Sequence, residues 1–110
     1  MLKIATTETF TEGVIDASLN KLVVVDFWAT WCSPCRMLKP ILERVSGEEG
    51  IADLVDFVLV DVETNAELAD LYQVSSTPTV IFFKDGVEVG RKSGLMMKPE
   101  FLEAMSEHLD

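Results

Sequence analysis

Cys32 and Cys35 are the only cysteines of the chain, and just Ser33 and Pro34 separate them. Two thiols at this spacing can close a disulfide, and in the reduced state one of them can attack a disulfide elsewhere. Only the thiolate is a useful nucleophile, and free cysteine titrates at about 8.5, so the surroundings must favour the anion. A helix start would do this. Pro34 suits a first helical turn, and Arg36-Met37-Leu38-Lys39-Pro40-Ile41-Leu42 continues it. Cys32 then meets unpaired backbone N–H groups and the positive end of the helix dipole, which bring such thiols into the ~3.5–7.5 range. Cys35 lies within the helix and is expected to be less exposed than Cys32. The pair is therefore read as polarised: Cys32 attacks and forms a mixed disulfide, and Cys35 resolves it.

Two further places could serve this chemistry. Asp26 is a carboxylate amid Val24, Val25, Phe27 and Trp28. Desolvation there should raise its pKa, which would let it exchange a proton with Cys35. The alternative is an Asp at a strand end, bonded to backbone. In Ser75-Ser76-Thr77-Pro78 a proline enters a strand-like run, a setting that invites a cis bond. Free backbone groups beside it could pair with an extended substrate segment. A metal site is not expected. Zinc usually takes four ligands, there is no second cysteine pair, and the one histidine, His108, falls in a different element. His108 is read as a solvated residue in a last helical turn.

The elements that must position these residues follow from apolar periodicity. Leu2–Ile4 is a short strand. Thr9–Leu19 is a helix with Phe10, Val14, Ile15 and Leu19 on one face and a capping box of Thr9 with Glu12. Asn20-Lys21 turns the chain. Leu22–Ala29 is too apolar to have a wet face and reads as a central strand. The helix after Cys32 runs to about Val45, with a kink at Pro40. Leu54–Val62 is a second buried strand. Asn65 caps a short helix to Tyr72, with Leu68, Leu71 and Tyr72 on one face. Thr79–Phe83 and Val87–Lys92 are strands around an Asp85-Gly86 hairpin turn, with Val87 and Val89 on one face and Glu88 on the other. Ser93-Gly94 breaks the second strand, and Pro99 opens a last helix with Phe101, Leu102, Met105 and Leu109 facing inward. The order β-α-β-α-β-α-β-β-α implies right-handed parallel crossovers and a late antiparallel hairpin, in one mixed sheet between helices.

Composition narrows the functions. The chain has 110 residues, 48% of them hydrophobic and 25% charged, which fits one globular domain over 1–110. Nineteen acidic residues against nine basic ones leave a net charge of −10, which argues against nucleic acid and anionic membranes as partners. No apolar run approaches the roughly 20 residues of a membrane span. The first residues lack the pattern of a signal peptide, so a cytoplasmic location is expected, with a monomer as the default.

Taken together, these residues resemble the thioredoxin family, for which a C-x-x-C beside a βαβ pattern is an established signature. The resemblance runs from about Phe10 to Leu109. It is carried by Val25-Asp26-Phe27-Trp28-Ala29-Thr30-Trp31-Cys32-Ser33-Pro34-Cys35, by Pro40 and Val60-Asp61-Val62, and by Thr77-Pro78-Thr79, Phe83-Lys84-Asp85-Gly86 and Gly94. It implies an α/β fold with a five-stranded mixed sheet flanked by four helices. It implies Cys32 as nucleophile, Cys35 as resolving thiol, Asp26 as the buried carboxylate that assists it, and Pro78 as a cis-proline beside the disulfide. Trp31, Ser33, Pro34, Thr77, Pro78, Ser93, Gly94 and Leu95 would form the face that docks partners. The implied activity is reduction of disulfides in protein substrates, with no cofactor beyond the dithiol and with a thioredoxin reductase restoring it. Departures from the family pattern are Ser33 where glycine is usual, Thr77 where an apolar residue often stands, and Leu59 where a lysine often lies near the aspartate. An oxidase or isomerase of the same fold would often carry histidine at the position of Pro34, so reduction is the preferred direction. A binding module that does not turn over is the reading from another class, and the intact cysteine pair argues against it.

Overall fold

The computed structural model describes residues 1–109. Five strands form one sheet: β1 (Leu2–Ile4), β2 (Leu22–Trp28), β3 (Val55–Asp61), β4 (Thr79–Lys84) and β5 (Val87–Ser93). Their order across the sheet is β1-β3-β2-β4-β5. β3 runs parallel to both β1 and β2, whereas β4 is antiparallel to β2 and β5 antiparallel to β4. Three α-helices accompany it: α1 (Ser33–Ser46), α2 (Ala66–Leu71) and α3 (Lys98–Ser106).

β2 is central, as its composition implied. Every residue from Leu22 to Phe27 is buried, because pairing on both edges and helices on both faces leave no wet side. Its alternation sorts two core layers. Leu22 and Val24 join Leu38, Leu42, Phe57, Phe82 and Phe101 on the side covered by α1 and α3. Val23, Val25 and Phe27 join Phe10, Val14, Leu68 and Phe83 on the other. Burying each such side chain contributes about 1.5–3 kcal/mol, and aromatic contacts such as Phe10 against Phe83 (centroids 5.7 Å apart) lock the second layer. The β4–β5 turn has Asp85 at φ 55° and Gly86 at φ 84°, the two positive values of a hairpin turn matched to strand twist. Buried Ser18 anchors it: its carbonyl accepts from Asp85 N at 2.8 Å and its Oγ from Gly86 N at 2.9 Å.

Several local expectations are corrected. The first helical segment is wound as a π-helix over Thr11–Asp16 and a 3-10 turn over Ala17–Leu19, and the weak helix former Gly13 lies inside it. The capping box does not form, because Thr9 Oγ1 accepts from Thr6 N at 2.9 Å. Leu19 is 61% exposed rather than part of the inward face. Asn65 precedes α2 without capping it with its side chain. Its Oδ1 instead accepts from Thr7 N at 2.9 Å and its Nδ2 donates to Asp61 O at 3.0 Å. Leu71 is 70% exposed, so Leu68 of α2 and Tyr72 just after it carry the inward face. In line with expectation, α1 contains Pro40 and runs to Ser46, one residue past Val45. On β5, Val87, Glu88 and Val89 are all exposed. A bulge between Phe82 and Phe83 pairs them with Gly90 and Glu88, so Val89 has no partner and the alternation is lost. His108 is half-buried, not solvated. Its ring lies 5.0 Å from that of Phe82, and its carbonyl accepts from Lys84 Nζ at 2.9 Å. A Cβ on Gly90 would stand 2.7 Å from its Nε2, so only glycine leaves room for the ring there.

Candidate active site

The cysteines lie just past the end of the central strand. β2 ends at Trp28, and Ala29-Thr30-Trp31 leads to Cys32, which precedes the first residue of α1. Cys32 is extended (φ −88°, ψ 111°) and its sulfur accepts from Cys35 N at 3.2 Å. The sulfur thus takes the position of a capping side-chain oxygen, on one of the orphan N–H groups of the helix start. Pro34, with no N–H to leave unpaired, sits in the same turn. The two cysteines are joined as a disulfide with Cα atoms 5.2 Å apart.

One of the two cysteines is less open than the sequence suggests. Cys35 is 1% exposed, as expected, but Cys32 is only 4% exposed. The expectation of an exposed Cys32 is corrected by a segment distant in sequence: the Thr77 carbonyl oxygen lies 3.5 Å from Cys32 Sγ. The Thr77–Pro78 bond is cis. The Pro78 carbonyl accepts from Gly94 N at 2.8 Å, and Thr79 pairs with Ser93. The fold therefore brings Thr77 to the disulfide, with Pro78 next to it and Ser93 and Gly94 paired to that segment. Trp31, Ser33 and Pro34 stand exposed on the cysteine turn itself, and Trp31 is the most prominent apolar group there. Leu95 instead packs, half-buried, against the core layer under α1 and α3.

Asp26 lies on β2 in register with Leu59 of β3 and Val80 of β4. It shares the strand face of Val24 and Trp28, which packs against α1. It is 1% exposed, and neither carboxylate oxygen has a hydrogen-bond partner among the described residues. The alternative of a backbone-bonded carboxylate therefore does not hold. Desolvation raises its pKa from 3.8 to about 7, because ionising it places an unpaired charge in an apolar layer. Near neutral pH both forms are populated, so this group can give or take a proton at little cost.

Three features went unread in the sequence. Arg36 folds back over the helix start, where Nη1 donates to Thr30 O at 2.8 Å and Nη2 to Ser33 Oγ at 3.2 Å. The three-residue spacing of Ser33 and Arg36 was the available signal. Thr30 Oγ1 in turn donates to Glu63 Oε1 at 3.1 Å. Beside α1 a cavity of about 440 Å³ is lined by Trp28, Thr30, Cys35, Arg36, Lys39, Pro40 and Glu43, and Lys39 Nζ lies 5.8 Å from the centroid of the Trp28 ring. No group of three or more His, Cys, Asp or Glu side chains among the described residues is placed to hold a metal. No helix among them is long and apolar enough to cross a membrane.

Comparison with known proteins agrees with this geometry. The family model described as Thioredoxin matches residues 1–107. A thioredoxin of Mycolicibacterium smegmatis is 43% identical over 104 residues, which is 94% of this chain and 91% of that one. The crystal structure of Malassezia sympodialis thioredoxin superposes with a TM-score of 0.87 at 31% identity, covering 100% of this chain and 92% of that one. The X-ray structure of Fasciola hepatica thioredoxin gives a TM-score of 0.85 at 38% identity, covering 96% and 98%.

Proposed function

The chain belongs to the thioredoxin family and is a thiol–disulfide oxidoreductase, and on that premise we propose that it works in the cytoplasm as a monomeric, single-domain (1–110) reductase of protein disulfides. The Cys32 thiolate attacks one sulfur of a substrate disulfide. A mixed disulfide forms, and the other substrate sulfur leaves as a thiolate and takes a proton. Cys35 then loses its proton to the Asp26 carboxylate and attacks Cys32 Sγ. The second substrate sulfur is released as a thiolate and takes up the proton held by Asp26, and the Cys32–Cys35 disulfide remains. The substrate has gained two electrons and two protons, and the dithiol has lost them. A thioredoxin reductase returns both to the oxidised chain.

The observation that carries this reading is the bond from Cys35 N to Cys32 Sγ at the start of α1. A donor aimed at a sulfur favours its anionic form, whether that sulfur attacks or leaves. Trp31, Ser33, Pro34, Thr77, Pro78, Ser93, Gly94 and Leu95 are proposed as the docking face, with exposed Trp31 as its apolar anchor. The net charge of −10 makes nucleic acid and anionic membranes unfavourable partners.

Insulin reduction driven by dithiothreitol, or by a thioredoxin reductase with its reductant, tests the proposal. Wild type should accelerate it, and Cys32→Ser should fall to the rate without protein. Equal rates for the two would sink the reading. A reduction potential near the oxidising end of the roughly −270 to −120 mV span of thiol–disulfide proteins would make the chain an oxidase instead.

A further inference from the structure

The guanidinium of Arg36 joins the two sides of the cysteine turn. Thr30 precedes Trp31-Cys32 and Ser33 follows it, and Arg36 reaches the carbonyl of the first at 2.8 Å and the hydroxyl of the second at 3.2 Å. A cation in the first turn of a helix works against the dipole. Yet this one folds back across the helix start, spanning six residues to reach Thr30. Its planar fork suits the task, since one guanidinium offers donors in two fixed directions. The far side of the turn is tied as well, because Thr30 Oγ1 donates to Glu63 Oε1 at 3.1 Å beyond the end of β3. Ser33, the residue at which this motif departs from the usual glycine, thereby acquires a role, since glycine has no hydroxyl to accept Nη2.

We propose that Arg36 is a positioning residue that, through Ser33 and Thr30, fixes the Trp31-Cys32 turn and holds a positive charge beside Cys32 when that sulfur is a thiolate. The proposal rests on Cys32 being the attacking sulfur. Of the charged groups around the turn, Arg36, Lys39 and Glu43 of α1 line one cavity with Thr30 and Cys35, Glu63 beyond β3 accepts from Thr30 Oγ1, Asp26 lies buried on β2, and the Ser75–Pro78 segment carries no charged residue. A clamp that favours the thiolate favours the reduced protein. Removing it should make Cys32 titrate higher and make the disulfide harder to reduce.

Two readouts on the reduced and oxidised full chain test this: the pH dependence of iodoacetamide alkylation of Cys32, and the equilibrium of the protein disulfide with two glutathiones, giving the dithiol and glutathione disulfide. Arg36→Ala should move the alkylation midpoint to higher pH. It should also lower the glutathione equilibrium constant roughly threefold, about 14 mV at 29.6 mV per tenfold change. Ser33→Ala should move both readouts the same way by less, and the double variant should move them no further than Arg36→Ala alone. Arg36→Lys, which keeps the charge but cannot reach both partners, should restore neither readout in full. The inference is overturned if either single variant matches wild type in both readouts, if the two effects add in full, or if Arg36→Lys behaves as wild type. Insulin turnover by the same wild-type preparation separates the two readings. Without turnover the reductase proposal fails, whereas turnover with unmoved alkylation and equilibrium removes the clamp alone.

Discussion

Asp26→Asn should stabilise the protein, and by an amount that depends on pH. Burial raises the Asp26 pKa from 3.8 to about 7, so between those values the native carboxyl keeps a proton that the unfolded chain has released. The native state then binds more protons, and stability falls as pH rises, by at most about 1.4 kcal/mol per pH unit from this residue. Below about pH 4 both states are protonated and nothing is lost. Above about pH 7 both are ionised and the loss is complete. At 1.36 kcal/mol per pH unit the full difference is about 4 kcal/mol, close to half the stability of an ordinary small domain. Asparagine has nearly the same shape and never ionises, so it supplies a flat reference. Urea unfolding of the oxidised protein should show the variant more stable by about 2 kcal/mol at pH 5 and by about 4 kcal/mol at pH 9. If the two proteins kept a constant difference across that range, the carboxyl would be ionised in the core at all these pH values, and the reasoning from desolvation would be wrong.

Asp26→Ala should slow release of the mixed disulfide more than its formation, measured by single-turnover quenching. Equal slowing of both steps would remove Asp26 from proton transfer. Phe101→Ala should cost about 3–5 kcal/mol in denaturant unfolding, because its fully buried ring packs between those of Phe57 and Phe82 with centroids 6.1 and 6.5 Å away. Asn65→Ala should cost about 1–3 kcal/mol by leaving Thr7 N–H and Asp61 C=O without their side-chain partner. A loss of only a few tenths would restore Asn65 to a minor helix-start role.

What could be read in the sequence is what depends on neighbours along the chain. The apolar run from Leu22 announced a strand paired on both edges, and Asp85-Gly86 announced the hairpin, because alternation and positive φ are local properties. The cysteine spacing and the odd placement of a carboxylate in β2 pointed to the site for the same reason. Some errors are local, as where Thr6 takes the Thr9 hydroxyl from the capping box, but those nearest the site arise where a distant residue displaces a local one. Asn65 and its expected helix-start bond lost to Thr7, 58 residues away. His108 stacks on Phe82 because Gly90 clears a space on another strand. Cys32 is covered by a carbonyl 45 residues further on. Arg36 was within reach of local reasoning, but its folded-back rotamer follows from Thr30 and Ser33 together, and neither alone suggests it.

The Asp85-Gly86 turn has a practical consequence for engineering. A tight, solvent-facing hairpin tip invites the insertion of a tag or a peptide epitope. Here both of its amides are committed to Ser18, so a graft at that point would unfasten the first helical segment from the sheet as well as lengthen a loop. Display or fusion designs that leave Asp85 and Gly86 in place, and build outward elsewhere, keep the two halves of the chain buttoned together.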